Sequence, residues 1–412
     1  MKKLIVILSL IFLLITPFFV FGEVVQDNKT FAENKVLVTS SEDENKKDLE
    51  DELSDTIGEQ LGSLDFDGLQ DVLDGLSSDS LELFGTTSFW DKITRLLSGE
   101  FDEGYGTFFH TIIGLMFEEV VGFIPLLAII VMVTLICSMI SNLRSKESEG
   151  SVGQVVDFVC FGVVVVLVSS VVIGFLTSSS GLMTSMQTQM NALFPILLTL
   201  LAGVGGTMSV GIFQPAVVIL SSVVVTVFTT VIIPLFVFQF VLIVVNNLSS
   251  SVKLNKFISL ISSIFKWLAG ICFSVFLGVL AVQGIMAGSF DSVSIKATRF
   301  AIKSYVPILG GYLSDGFNMI MASSVLIKNV VGVAGIFLLF ASILSPVVQI
   351  IVCSLLLKLG AAILEPMTNN SRVPEFLQQI AKLLNLLVMM ILGVAFMYII
   401  TVGLILCTAN VL

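Results

Sequence analysis

The chain has 412 residues, of which 56% are hydrophobic and 12% charged; its net charge is −11 and its mean hydropathy +1.03. Soluble domains carry about 25% charged residues, so this composition excludes one. Continuously apolar runs such as Val163–Val168 exclude a transmembrane β-barrel, whose strands alternate, and nucleic acid is excluded as a partner because Lys and Arg are not clustered. The fold class is all-α: a polytopic helical membrane protein with a small acidic helical segment outside the cytoplasm.

Charge divides the chain. Glu23 to Phe108 holds 22 acidic and 6 basic residues, whereas Phe109 to Leu412 holds 9 and 12. Three regions follow: a signal peptide (1–22), an acidic extracytoplasmic segment (23–108) and a transmembrane domain (109–412). Met1-Lys2-Lys3 precedes an apolar stretch ending at Phe21, with cleavage expected after Gly22. An uncleaved anchor is the alternative reading, and either puts the acidic segment across the membrane from the cytosol.

Residues 23 to about 48 are polar and unpatterned, which predicts disorder. Leu49, Leu53, Ile57 and Leu61 then form a helical stripe, and Leu69, Val72, Leu73 and Leu76 a second. Helices so short pack on each other or on a partner, or else stay a solvated acidic arm. Phe89, Trp90, Ile93, Leu96, Leu97 and Phe101, interleaved with Lys92 and Arg95, predict an amphipathic helix on the membrane surface near 89–101. The single histidine, His110, reads as an interfacial residue, since a metal site needs further ligands.

Eight spans are expected at about 119–141, 155–176, 192–213, 216–245, 267–288, 317–345, 346–364 and 383–407. The fourth exceeds the length a span needs and must tilt or break near Pro234. The positive-inside rule places Arg144 and Lys146, the loop 289–316 and Arg372 inside, and Thr177–Asn191 outside; Lys253 and Lys256 are discordant. Shifting the chain by 112 residues overlays Cys160-Phe161 on Cys272-Phe273, Pro195-Ile196-Leu197 on Pro307-Ile308-Leu309 and Pro234 on Pro346. Three-span units would be inverted, as in many transporters; four-span units would be parallel. The five cysteines all lie in apolar runs and read as small hydrophobes.

Charges within spans are Glu118, Glu119, Asp157, Lys266, Lys328 and Lys358. Edge solvation accounts for most of them. Lys328 and Lys358 do not lie at a clear end and could meet a carboxylate such as Asp315. Gly203, Gly205 and Gly206, and Gly310-Gly311, each follow a Pro-Ile-Leu and mark close packing or a gating element. No phosphate-binding loop, catalytic triad, zinc spacing or dinucleotide fingerprint is present, so neither an enzyme nor a cofactor is expected.

The stretch SVSIKATRFAIKSYVPILGGYLSDGFNMIMASSVLIKNVVGVAGI, Ser292 to Ile336, resembles the signature region of the stage III sporulation protein AE family. FPILLTLLAG (194–203), FQP (213–215), FLGVLAVQG (276–284), LSP (344–346) and AAILEP (361–366) agree with it. The resemblance covers nearly the whole membrane part and is weak over 23–88. It implies a multi-pass subunit in the mother-cell membrane around the forespore, within a secretion-like channel complex that supports late forespore development and gene expression. The implied partners are the other membrane proteins of the stage III sporulation A operon, their cytosolic ATPase, and a forespore partner across the intermembrane space. No catalytic residue comes with it. Lys296, Arg299, Lys303, Pro307, Gly310, Asp315, Lys328, Asn329 and Gly332 fall in the matching stretch and are read as an assembly or gating surface. A permease-like secondary transporter is the alternative.

Overall fold

The structure is a computed structural model describing residues 55–85, 87–98, 105–144, 151–248, 254–305, 310–368 and 372–408. The expected signal peptide, the stretch 23–48 and Leu49 and Leu53 lie outside the described residues. Among those described there is no strand. Four short helices come first: α1 (55–62), α2 (Asp67–Asp74), α3 (Ser78–Phe84) and α4 (Phe89–Ser98). The long helices are α5 (Tyr105–Arg144), α6 (Ser151–Gly203), α7 (Thr207–Val227), α8 (Ile233–Leu248), α9 (Asn255–Tyr305), α10 (Gly310–Leu364) and α11 (Arg372–Cys407). A π-turn at Phe228–Ile232 joins α7 to α8 without a loop.

The protein is an all-α polytopic membrane protein. Among the described residues, six continuous helical stretches are long and apolar enough to cross a bilayer, with α7 and α8 counted as one. This differs from the eight expected spans in two places. α6 runs unbroken through 177–191, and α10 runs unbroken through Pro346. Pro346 costs α10 one internal hydrogen bond, which transmembrane helices tolerate where neighbours enclose them. Near Pro234 the chain bulges rather than breaks: the π-turn takes up the space that the ring would otherwise need against the preceding turn. The 112-residue shift therefore lays α6 on α9 and α7–α8 on α10, a unit of two long helices. Of the matching prolines, Pro195 is inside α6, and Pro307 is outside the described residues.

Side-chain contacts fix how the helices run. α6 folds back on α5, with the Cys160 thiol 3.8 Å from the Val133 carbonyl. The second half of α6 then runs antiparallel to the first half of α10. Gln189 meets Ser342, Leu193 lies over Gly335, and Gly203 faces Ser324. α11 returns antiparallel along α10, from Asn385 beside Ser354 to Leu406 beside Lys328. α9 runs parallel to α11: Asn255 is level with Gln379, Phe273 seats on Gly393, and Gly284 is level with Leu404. The connections α5–α6, α8–α9 and α10–α11 thus share one end of the bundle. The other end holds the turn between α6 and α7, where Gly205 adopts φ 93°, and the end of α11.

The four short helices cap that second end. Leu61, Leu69, Leu73, Phe84, Phe89, Ile93 and Leu96 are buried in the same core as the long helices. Gln70 ties the cap together: its amide oxygen accepts from the Phe89 N–H at 2.9 Å and its nitrogen donates to the Thr87 carbonyl at 3.0 Å. Ser77 caps the start of α3, and Gly85, at φ 82°, ends it. Both expected stripes, where described, pack on the chain's own bundle. The apolar face of α4, expected on a membrane surface, packs against α10.

α6 carries two kinds of exposed face. Val155, Phe158, Val159, Val163, Val166 and Ile173 are exposed, and beyond them come Thr177, Gly181, Thr184, Thr188, Asn191 and Thr199. Val155 to Ile173 spans about 27 Å at 1.5 Å per residue, close to the ~30 Å of bilayer hydrocarbon. Beyond Ile173 a buried stripe, Leu182, Met186, Leu193 and Leu197, keeps the chain helical against the core. If so, single cysteines replacing Thr184, Met186 and Thr188 will react with a polar maleimide at 184 and 188 and resist it at 186. Equal labelling at all three would mean a loop.

Candidate functional site

α10 organises the capped end. From Met321 to Ile343 nearly every position is buried, on all sides of the helix. A helix apolar all round belongs inside a bundle, yet this one also carries Ser323, Ser324, Lys328, Asn329 and Ser342, all buried. Each such group must be satisfied by a neighbouring element or it opposes folding.

Lys328 is fully buried, and its ammonium donates to the carbonyls of Leu406 at 3.1 Å and Thr408 at 2.7 Å. These acceptors are a carbonyl of the last turn of α11 and that of Thr408 just beyond it, at the negative end of the helix dipole. The ammonium therefore acts as a C-terminal cap supplied from another helix. Gly332, one turn on, lets α11 come this close: a Cβ there would lie 2.6 Å from a methyl of Leu406. Asn329 is 2% exposed, and neither atom of its carboxamide meets a partner among the described residues.

Two further contacts bind the cap to α10. Ser324 donates to the Gln60 amide oxygen at 3.1 Å. Lys92 of α4 reaches inward, its Nζ donating to the Phe84 carbonyl at 2.7 Å. The same ammonium lies 4.5 Å from the centre of the Phe337 ring on α10 and 5.4 Å from that of Phe84. A desolvated ammonium over an aromatic face contributes up to about 2 kcal/mol. Lys92 sits on the same helical face as Phe89, Ile93 and Leu96, all buried, and this shared face was the one sequence signal that could have shown it to point inward.

The structure thus brings together Lys328, Asn329 and Gly332. Lys296, Arg299 and Lys303 lie in the last turns of α9 and Gly310 and Asp315 in the first turns of α10, but their side chains are outside the described residues, as is Pro307 altogether. The expected loop 289–316 is mostly helix. Of the other charges in spans, Glu118 and Lys266 are exposed and Asp157 and Lys358 half-buried; Glu119 accepts from Gln349 at 2.8 Å. Among the described residues no three His, Cys, Asp or Glu side chains converge to hold a metal ion.

Residues 87–409 match the model of the family described as stage III sporulation protein AE. The chain belongs to the stage III sporulation protein AE family. It is 27% identical over 255 residues to stage III sporulation protein AE of Bacillus subtilis (strain 168), an alignment covering 61% of this chain and 63% of that one. No solved structure matches. The family match begins just before α4 and ends just after α11. It includes Lys92 with Phe337, and Lys328 with both its acceptors, and leaves out α1–α3.

Lys328→Met would remove the donor while keeping the bulk. The last turn of α11 is then expected to lose about 1–2 kcal/mol of local protection, so amide exchange at Leu404–Thr408 should rise about tenfold while Leu383–Leu387 stays unchanged. Unchanged exchange at both would show that the ammonium does not hold the helix end.

Proposed function

We propose that this protein is a membrane subunit of a secretion-like channel complex that joins mother cell and forespore during endospore formation. In that role it supports late forespore development and gene expression. A role in sporulation follows from the family. Membership of a channel complex is our reading, and the observation that carries it is the cap seated on one end of the membrane bundle. Such a cap is a rigid docking platform rather than a loose arm.

Orientation supports the same reading. If each long stretch crosses once, Arg144, Lys146, Lys253, Lys256 and Arg372 fall at the uncapped end, which the positive-inside rule assigns to the cytosol. The discordance of Lys253 and Lys256 disappears, and the stretch 289–316 with Lys296, Arg299 and Lys303, expected inside, becomes the discordant one, because six crossings rather than eight put the end of α9 at the capped side. The capped end then faces the space between the two membranes, with the protein in the mother-cell membrane around the forespore. The cytosolic ATPase of the complex would dock at the uncapped end, and the forespore partner at the cap. The sister membrane proteins of the operon would pack alongside in the bilayer.

Lys296, Arg299 and Lys303 lie toward the capped end in this arrangement, since Gly284 is level with Leu404. With Pro307, Gly310 and Asp315 they would form an assembly surface beside the acidic cap. Catalysis has no part in this role.

The test is isolation of the tagged full-length protein from sporulating cells under conditions that retain membrane complexes. The reading predicts a stable assembly with the other operon products, weakened by reversing the charges of Arg299 and Lys303 without loss of protein. Recovery of the protein alone would contradict it. The alternative reading is a permease-like transporter. Solute flux by the purified protein in liposomes, abolished by Lys328→Ala, would mark that activity.

A further inference from the structure

The packing of α6 on α5 brings two thiols together. All five cysteines are free, and taken singly each reads as a small hydrophobe. Cys160 of α6 is buried, and its Sγ lies 3.8 Å from the Val133 carbonyl of α5. In a helix that carbonyl also takes the N–H of Cys137, four residues on. The Cys137 side chain leans back toward the start of its helix, over the same turn. The two thiols hydrogen-bond to each other across the helix pair, with Cys137 half-buried and so the more accessible of the two.

The pair sits near the uncapped end. Val155 is the first exposed apolar residue described on α6, and Cys160 lies five residues beyond it, about 8 Å along the helix at 1.5 Å per residue. Asp157, one turn before Cys160 and half-buried, acts on the same thiol through its charge. A carboxylate at this depth marks a level close enough to the membrane edge for water to reach. At the same end Ser138, next to Cys137, donates to the Met367 carbonyl just after α10 at 3.5 Å.

Two thiols in contact can give up two electrons together and close on each other, which a single buried thiol cannot. A structural metal site would need more: zinc and iron–sulfur centres take four ligands, and among the described residues no three His, Cys, Asp or Glu side chains converge. Redox chemistry is therefore the reading that the pair supports. Surrounding lipid keeps charged oxidants from this depth, whereas a small uncharged peroxide can enter.

We propose that Cys137 and Cys160 form a redox-active dithiol, which a small uncharged peroxide oxidises to a disulfide joining α5 to α6. The Cys137 sulfur, as thiolate, attacks one peroxide oxygen. The O–O bond breaks, the leaving hydroxide takes up the proton that the thiol released, and Cys137 becomes a sulfenic acid. The Cys160 sulfur then attacks the Cys137 sulfur. The S–O bond breaks, the hydroxide leaves with the Cys160 proton as a second water, and the disulfide forms. Two thiols lose two electrons and two protons, and the peroxide is reduced to water. The inference rests on the thiol contact alone, so it stands or falls apart from membership of a larger assembly.

The experiment treats the full-length protein in lipid nanodiscs with hydrogen peroxide, blocks the remaining thiols with N-ethylmaleimide in denaturant, and maps the cysteines by mass spectrometry. Cys137 and Cys160 should be lost together, several-fold faster than Cys272 and Cys353. They should appear as one linked peptide pair and return with dithiothreitol. Loss no faster than that of Cys272 and Cys353, or oxidation of the pair without the linkage, would overturn the proposal. The variant Cys160→Ser separates the two steps. Its Cys137 should halt at the sulfenic acid and be captured by dimedone. Cys137 that stays unoxidised there would overturn the proposal, because the peroxide would not be reaching the sulfur assigned to it.

Discussion

The capped end depends on one constraint: the first half of α10 is buried on every side yet carries a lysine. An ammonium placed there would prevent folding unless something took its charge. The end of α11 does so by presenting its last carbonyls, from residues about eighty positions away in the chain. Two costs offset each other, the buried charge and the uncapped helix end. The pairing fixes the register of α10 against α11, and Gly332 and Gly335 let α11 and α6 close on α10. With α10 held in this way, its other faces can receive α4 and the rest of the cap.

The long helices serve two environments in succession. On α6 the exposed face changes from branched and aromatic side chains to threonines, glycine and asparagine once the helix has run about one hydrocarbon thickness. The threonine hydroxyls turn back onto their own helix, as Thr184 does onto the Ser180 carbonyl at 3.1 Å. The buried face does not change character at that point, so the helix continues. The cap is built at this level, with Gly68 of α2 against Ala192 of α6. It is the bundle's own covering, acidic outside and apolar within, and the core passes from one to the other without a gap.

Much of this was legible in the sequence. Apolar runs and charge content gave the all-α membrane class, and the leucine stripes gave the cap helices. The Ser292–Ile336 stretch pointed to the family. The span count was less legible, for a definite reason. Residues 177–191 are rich in Ser, Thr and Gln and read as a loop, because an average over the window hides the stripe of Leu182, Met183, Met186 and Met190 within it. Pro346 looked like a boundary because proline opposes helix interiors in water, and enclosure by neighbouring helices removes that objection. Lys92 looked like an interfacial cation and proved to be an inward one. The partners of Lys328 were out of reach of any motif, since they are main-chain carbonyls and carry no residue signature. Lys296, Arg299, Lys303 and Asp315 were legible only as members of a familiar stretch, and their role rests on the proposed assembly.

The central claim is that the acidic helices belong to the membrane bundle of their own chain. A Cβ added at Gly68 would lie 3.1 Å from the Cβ of Ala192, slightly inside the roughly 3.5–4.5 Å range of disulfides. The direct measurement is oxidation of the double variant Gly68→Cys, Ala192→Cys in native membranes, followed by non-reducing electrophoresis. The account predicts an intramolecular disulfide that forms readily and is absent from both single variants. No crosslink, or crosslinks only between molecules, would contradict it.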